Sequence, residues 1–153
     1  MKYYDYAIVF AEIPDEITAA LDITSCPHAC KNCHSPWLRE DIGVEVTPDS
    51  LRNIVKKYPG ITCICFMGGD ANLKEVLEYS KWIHEELKLK TAMYSGNVEF
   101  DLELLDELDY YKVGPYIEEK GPLNNPNTNQ IMIKRVGKTH EDITYRFQQK
   151  PFK

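Results

Sequence analysis

An α/β domain built on a mostly parallel sheet is what this sequence predicts. Segments with strand and helix character alternate at least three times along the chain, the pattern of parallel strands joined by right-handed crossovers. The apolar run 61–67 (ITCICFM) is continuous rather than alternating, which marks a strand buried on both faces. Each strand is followed by a glycine, cysteine or polar turn. That places the chemistry, because the C-terminal ends of parallel strands form the usual binding face.

The opening residues 3–13 are mixed apolar and aromatic and read as a strand or extended lead-in ending at Pro14. Residues 17–24 (ITAALDIT) read as a strand that stops at the cysteine-rich loop. Thr47 before Pro48 is an N-cap with proline at the first helical position, and Leu51, Ile54 and Val55 give that helix its apolar face. Pro59-Gly60 ends it. After the strand at 61–67 and its Gly68-Gly69-Asp70 break, Leu73, Val76, Leu77, Ser80, Ile83 and Leu87 fall on one side of a helix. Residues 90–94 form a short strand stopped at Ser95-Gly96-Asn97, Leu102, Leu105 and Leu108 predict a further helix, and 110–113 a strand ending at Gly114-Pro115. Residues 116–130 (YIEEKGPLNNPNTNQ), broken by Pro122 and Pro126, read as a loop. Residues 131–136 and 143–147 are expected as late strands, antiparallel and closing the edge.

With 153 residues, 43% of them hydrophobic, the chain suits one domain with its own core, residues 1–153. Acidic side chains outnumber basic ones by 24 to 18, for a net charge of -6, and Lys and Arg are scattered. No nucleic-acid partner is expected, since phosphate neutralisation needs clustered positive charge. The start shows no signal peptide, and no run nears the roughly 18 apolar residues of a membrane span. The expected location is cytoplasmic, where thiols stay reduced, so the five cysteines read as metal ligands or core residues rather than disulfides.

Cys26-Pro27-His28-Ala29-Cys30-Lys31-Asn32-Cys33 sets three thiols at C-x3-C-x2-C spacing. A loop this short can wrap three corners of a cubane [4Fe-4S] cluster, whose irons are normally held by cysteine thiolates. One iron then lacks a protein ligand and stays open to a substrate or cofactor, as an open position does on a catalytic metal. The alternative is structural zinc, with His28 or His34 as fourth ligand; such sites usually staple small domains that lack a core. Cys63 and Cys65 lie two apart on an apolar strand, point to one face and read as core cysteines.

The C-x3-C-x2-C loop directly after a strand, a Gly-Gly-acid turn after the next and the alternating body resemble the radical S-adenosylmethionine enzymes. Compact length, CPHACKNCH, FMGGD and the stretch VGPYIEE through TNQ are similar, more narrowly, to the activating proteins of anaerobic ribonucleoside-triphosphate reductases. The likeness runs from about Ile17 to Gln130. It implies a compact partial (β/α) barrel, with Cys26, Cys30 and Cys33 holding the cluster and S-adenosyl-L-methionine chelating the open iron. One electron, from flavodoxin or ferredoxin, would cleave the cofactor to methionine and a 5'-deoxyadenosyl radical. No catalytic residue beyond the cluster is implied, because the cofactor does the hard chemistry.

The resemblance also assigns cofactor contacts. Gly68 and Gly69 would let the backbone approach the methionine moiety, and Asp70, standing where the family has glutamate, would accept from its amino group; an N-cap role for Asp70 is the simpler alternative. Asn32, in a position commonly aromatic in the superfamily, and His34 are candidates for the adenine edge. Ser95 and Gly96 fall at the next strand end, against ribose or carboxylate. The implied substrate is a protein, one glycine near the C-terminus of the reductase large subunit, converted to a glycyl radical. Glu118 and Glu119 are candidates for touching that partner, although a charged pair in a loop is usually only solvated. Rival functions are a small-molecule radical enzyme of the deazapurine synthase type and a non-catalytic iron-sulfur carrier or zinc module.

Overall fold

A computed structural model describes residues 1–30, 33 and 35–148. Eight strands form one sheet: β1 (Lys2–Val9), β2 (Thr18–Ile23), β3 (Val44–Glu45), β4 (Cys63–Met67), β5 (Lys90–Tyr94), β6 (Tyr110–Val113), β7 (Ile131–Val136) and β8 (Thr139–Asp142), in the order β3-β1-β2-β4-β5-β6-β7-β8. Among the described residues three α-helices accompany them: α1 (Pro48–Lys57), α2 (Leu73–Trp82) and α3 (Leu102–Glu107).

The architecture is α/β, but the expectation of a mostly parallel sheet is corrected. Only the joins β2-β4, β4-β5 and β5-β6 are parallel, and the four joins flanking them are antiparallel. Connection length explains the difference, since a parallel neighbour needs a crossover of a dozen or more residues. Residues 10–17 between β1 and β2 are too few for one, and β7 turns directly into β8 at Gly137, whose φ of +62° suits a tight hairpin. The sheet is open, with β3 and β8 as its edges, and the curvature of the expected partial barrel is not shown by it.

Alternation along the strands divides the interior into two layers. On one face Leu21, Ile23, Ile64, Phe66, Met93 and Tyr111 pack against Leu51 and Ile54 of α1, Val76 of α2 and Leu104 of α3. On the other, Cys63, Cys65, Ala92, Tyr110 and Met132 are covered by Ile13, Leu123 and Ile143 from irregular segments. Within the run 61–67, Cys63 to Phe66 of β4 are buried on both sides as the sequence predicts, while Thr62 is exposed, and both cysteines are fully buried.

Helix starts follow the expected chemistry. Thr47 Oγ1 accepts from Ser50 N at 3.0 Å while Ser50 Oγ accepts from Thr47 N at 2.9 Å, a reciprocal capping box ahead of Pro48. Asp101 caps α3 through Leu104 N at 3.0 Å. The expected helix forms, and its start turns Leu104 and the following Leu108 inward while Leu102 stays 75% exposed. The expected strand over 143–147 is also corrected: residues 144–147 make a 3-10 turn, and the return strand is β8, an exposed polar edge without an apolar pattern.

Beyond α2 a π-type turn, Ile83–Leu87, carries His84 between two carboxylates. Its Nδ1 lies 2.8 Å from Glu107 Oε1 and its Nε2 2.8 Å from Asp109 Oδ2, with Thr91 Oγ1 at 3.1 Å. Asp109 also accepts from Thr91 N and Arg135 Nη2, so it joins the helix end to β5 and β7. The Asp109 hydrogen bond, helped by Glu107 and opposed by burial, holds the imidazole pKa above its ordinary value. A raised histidine pKa contributes stability that is complete below the unfolded value, near 6.5, and is lost as pH rises through the folded value. His84→Gln is therefore expected to cost on the order of 2 kcal/mol at pH 5.5 and less at pH 8.5. Urea unfolding of both proteins at the two pH values checks this, and a deficit independent of pH would contradict it.

Candidate metal and cofactor site

The cysteine loop leaves the C-terminal end of β2 and is tied back by its own backbone. Ser25 turns the chain at a φ of +60°. Cys26 N donates to Leu38 O at 2.8 Å, Ser25 N to Glu40 O at 3.1 Å and Cys33 N to Cys30 O at 3.2 Å. The 3-10 turn Pro36–Arg39 thus acts as a brace under the loop, and Arg39 Nη2 donates to Cys30 O at 2.9 Å. Ser35 N donates to Cys33 Sγ at 3.4 Å, a contact of the kind that tunes a cluster-bound thiolate.

Cys26, Cys30 and Cys33 line one cavity of about 240 Å³, together with His28, Gly68, Asp70, Ser95, Gly96, Lys112 and Gln130. The walls are the C-terminal ends of the four parallel strands, where neighbouring strand ends diverge into different loops. The chemistry of the donor set, three half-buried thiols from a single loop, fits an iron-sulfur cluster. Among the described residues no three His, Cys, Asp or Glu side chains converge as a site for one metal ion; a cubane instead takes one thiolate at each of several irons. His28, a candidate fourth zinc ligand, is engaged elsewhere: its Nε2 lies 2.8 Å from Asp70 Oδ2.

Asp70 gathers the site. Its side chain is 3% exposed, and it accepts from Ser95 Oγ at 2.5 Å, Gly96 N at 2.8 Å and His28 Nε2. It does not cap the following turn; Gly69 occupies that place. The two glycines before it differ in role. Gly68 lines the cavity, and its N–H donates to Tyr94 O at 2.9 Å. Gly69, at a φ of +107°, faces the core, where a Cβ would come within 2.8 Å of Val76 Cγ2. Gly96 leaves room for the imidazole, since a Cβ there would meet His28 Cδ2 at 2.7 Å. Asn32 and His34 lie outside the described residues.

Lys112, which motif reading passes over, is buried in the same cavity, and burial pushes its ammonium pKa down to about 8 against the opposing charges of Asp70 and Cys30. Its signal in the sequence is a single charge inside the apolar strand YYKV. Burial raises the Cys26 thiol as well. It raises Cys63 and Cys65 far more, so these two stay protonated core thiols. A larger hollow, about 670 Å³, opens beside the cavity on the helix-free side and shares Tyr94 and Gln130 with it; Phe10, Glu12, Leu123, Asn124 and Phe147 also line it.

The donor set is that of an iron-sulfur protein, three thiols of one loop facing one cavity. Residues 17–133 match the family described as the 4Fe-4S single cluster domain, and the chain belongs to that family. No curated protein and no solved structure matches it significantly. No helix among the described residues is long and apolar enough to cross a membrane.

Changing Cys26, Cys30 or Cys33 to Ala is expected to abolish the cluster, whereas Cys63→Ala and Cys65→Ala retain it. Iron and sulfide content after anaerobic reconstitution, with the visible spectrum, checks this. Loss of the cluster in Cys63→Ala with the fold intact would contradict the assignment.

Proposed function

We propose that this protein is a glycyl-radical-generating activase, a radical S-adenosylmethionine enzyme acting on an anaerobic ribonucleotide reductase. The observation that carries the reading is the shared cavity: the three thiols stand with Gly68, Asp70, Ser95 and Gly96 at the ends of adjoining strands. A cluster on the loop and a zwitterionic cofactor against the glycine turn are then neighbours. Held by Cys26, Cys30 and Cys33 and lying against Gly68 and Asp70, the cluster and cofactor would supply the chemistry, a one-electron reductive cleavage fed by flavodoxin or ferredoxin that yields methionine and 5'-deoxyadenosine and leaves the radical on a glycine Cα.

The chain's own residues bind and orient. Gly68 keeps one wall free of side chain, and Asp70 offers a buried carboxylate toward which a cofactor amino group is drawn. Ser95 and Asn97 fix the adjoining wall, with Asn97 N donating to Ser95 Oγ at 3.0 Å. Access for a protein segment is supported by the larger hollow, which meets the cluster cavity at Tyr94 and Gln130. Part of its lining, Pro122 to Asn124, comes from the 116–130 loop, the stretch whose resemblance points to the activases. An entering glycine loop would displace water and shield a reactive radical.

Mixed anaerobically with its reductase, S-adenosylmethionine and a reductant, the protein is expected to give a glycyl doublet by electron paramagnetic resonance and to release 5'-deoxyadenosine. Deleting the 116–130 loop is a poor test, because its Leu123 is buried in the core. Phe10, 71% exposed on the rim of the hollow, is the better position. Phe10→Ser is expected to lower reductase activation about tenfold, the loss typical of an aromatic anchor, while uncoupled cofactor cleavage persists. Cofactor cleavage without a glycyl radical on any cognate reductase would favour the small-molecule enzyme; a cluster that never cleaves the cofactor would favour the electron carrier.

A further inference from the structure

Lys112 is a cation buried where the proposed chemistry has given it nothing to do. It sits on β6, 7% exposed. Its Nζ donates to Ser95 O at 3.1 Å and to Gly114 O at 2.9 Å, and it lies 5.7 Å from the centroid of the Tyr94 ring. Among the described residues no carboxylate is within ion-pair distance of it. Asp70, whose charge it feels, directs its oxygens to Ser95, Gly96 and His28 instead.

Two carbonyl oxygens and a ring satisfy N–H groups without neutralising the charge, and a buried ammonium lacking a counter-anion is costly. Such a group is expected to face an anion that completes the site. Cys30, whose thiolate form would favour the Lys112 ammonium, is a wall of the same cavity.

We propose that Lys112 is the counter-cation of the iron-sulfur cluster, a positioning residue whose fixed charge favours the one-electron-reduced state. The proposal rests on the reading that Cys26, Cys30 and Cys33 hold that cluster. Three thiolates leave the cluster negatively charged, and a further electron adds one unit, so a buried cation on the same cavity stabilises the reduced state more than the oxidised one. The electron comes from an external one-electron donor, and Lys112 neither gains nor loses a bond. Arg39, bonded to Cys30 O, is exposed, where water and salt screen its charge. Lys112 therefore carries the larger share.

The test is a potentiometric titration of the reconstituted wild type and of Lys112→Gln, Lys112→Met and Lys112→Arg, read by the resonance of the reduced cluster. Gln keeps a donor for the two carbonyls, Met keeps only the length, and Arg keeps the charge. Both neutral variants are expected to lower the reduced-to-oxidised ratio at a fixed potential about tenfold, a midpoint shift of about 59 mV for one electron. Lys112→Arg is expected to stay near the wild type, and Arg39→Gln to shift less than Lys112→Gln. Unchanged midpoints in the neutral variants would overturn the proposal, as would loss of the cluster from both with circular dichroism unchanged, which makes Lys112 structural. A wild type that takes up no four-iron cluster overturns the underlying reading as well, and iron and sulfide analysis distinguishes that failure from the others.

Discussion

Three separate parts of the chain meet at the carboxylate of Asp70. It follows β4, accepts from Ser95 and Gly96 at the end of β5, and reaches His28 inside the cysteine loop. A carboxylate this deeply buried is tolerable only when donors satisfy it. These three donors are available only when the strand ends and the loop stand in their observed relation. The loop carries the thiols, so the same contacts fix where a cluster would lie against the glycine turn. Gly96 belongs to this constraint too, since any side chain there would push the His28 ring away.

The sheet divides the labour between its two ends. At the C-terminal ends of the parallel strands lie the thiols, the glycine turn and the buried Lys112. Near the start of β5 the tie is His84 with Asp109, Glu107 and Thr91, a cluster with a structural role. The two faces differ as well. Helices seal one, while the other is covered by irregular segments that leave a hollow open beside the cavity.

Much of this was legible in the residues because the signals were local. Apolar runs marked β4, β5 and β6, and Thr47-Pro48 marked the start of α1. Cysteine spacing marked the loop. The antiparallel flanks were harder to read, because strand direction follows from connection length and not from the pattern within a strand. β8 escaped notice for a different reason: an exposed edge strand of Thr139, His140, Glu141 and Asp142 has no buried face to pattern its sequence. Nor does the sequence separate Gly68 from Gly69. One borders the cavity and the other the core, a difference set by what packs behind each. The Asp70 and Lys112 contacts are non-local, so only the folded chain brings them into view.

The central claim is that the three-cysteine loop holds a four-iron cluster with one iron open to S-adenosylmethionine. Anaerobic reconstitution with iron and sulfide, one-electron reduction, and electron paramagnetic resonance with and without S-adenosylmethionine test it most directly. The account predicts a reduced four-iron signal whose shape changes when the cofactor binds, because binding occurs at an iron of the cluster itself. A four-iron signal indifferent to saturating cofactor, or full occupancy by zinc with no cluster formed, would contradict it.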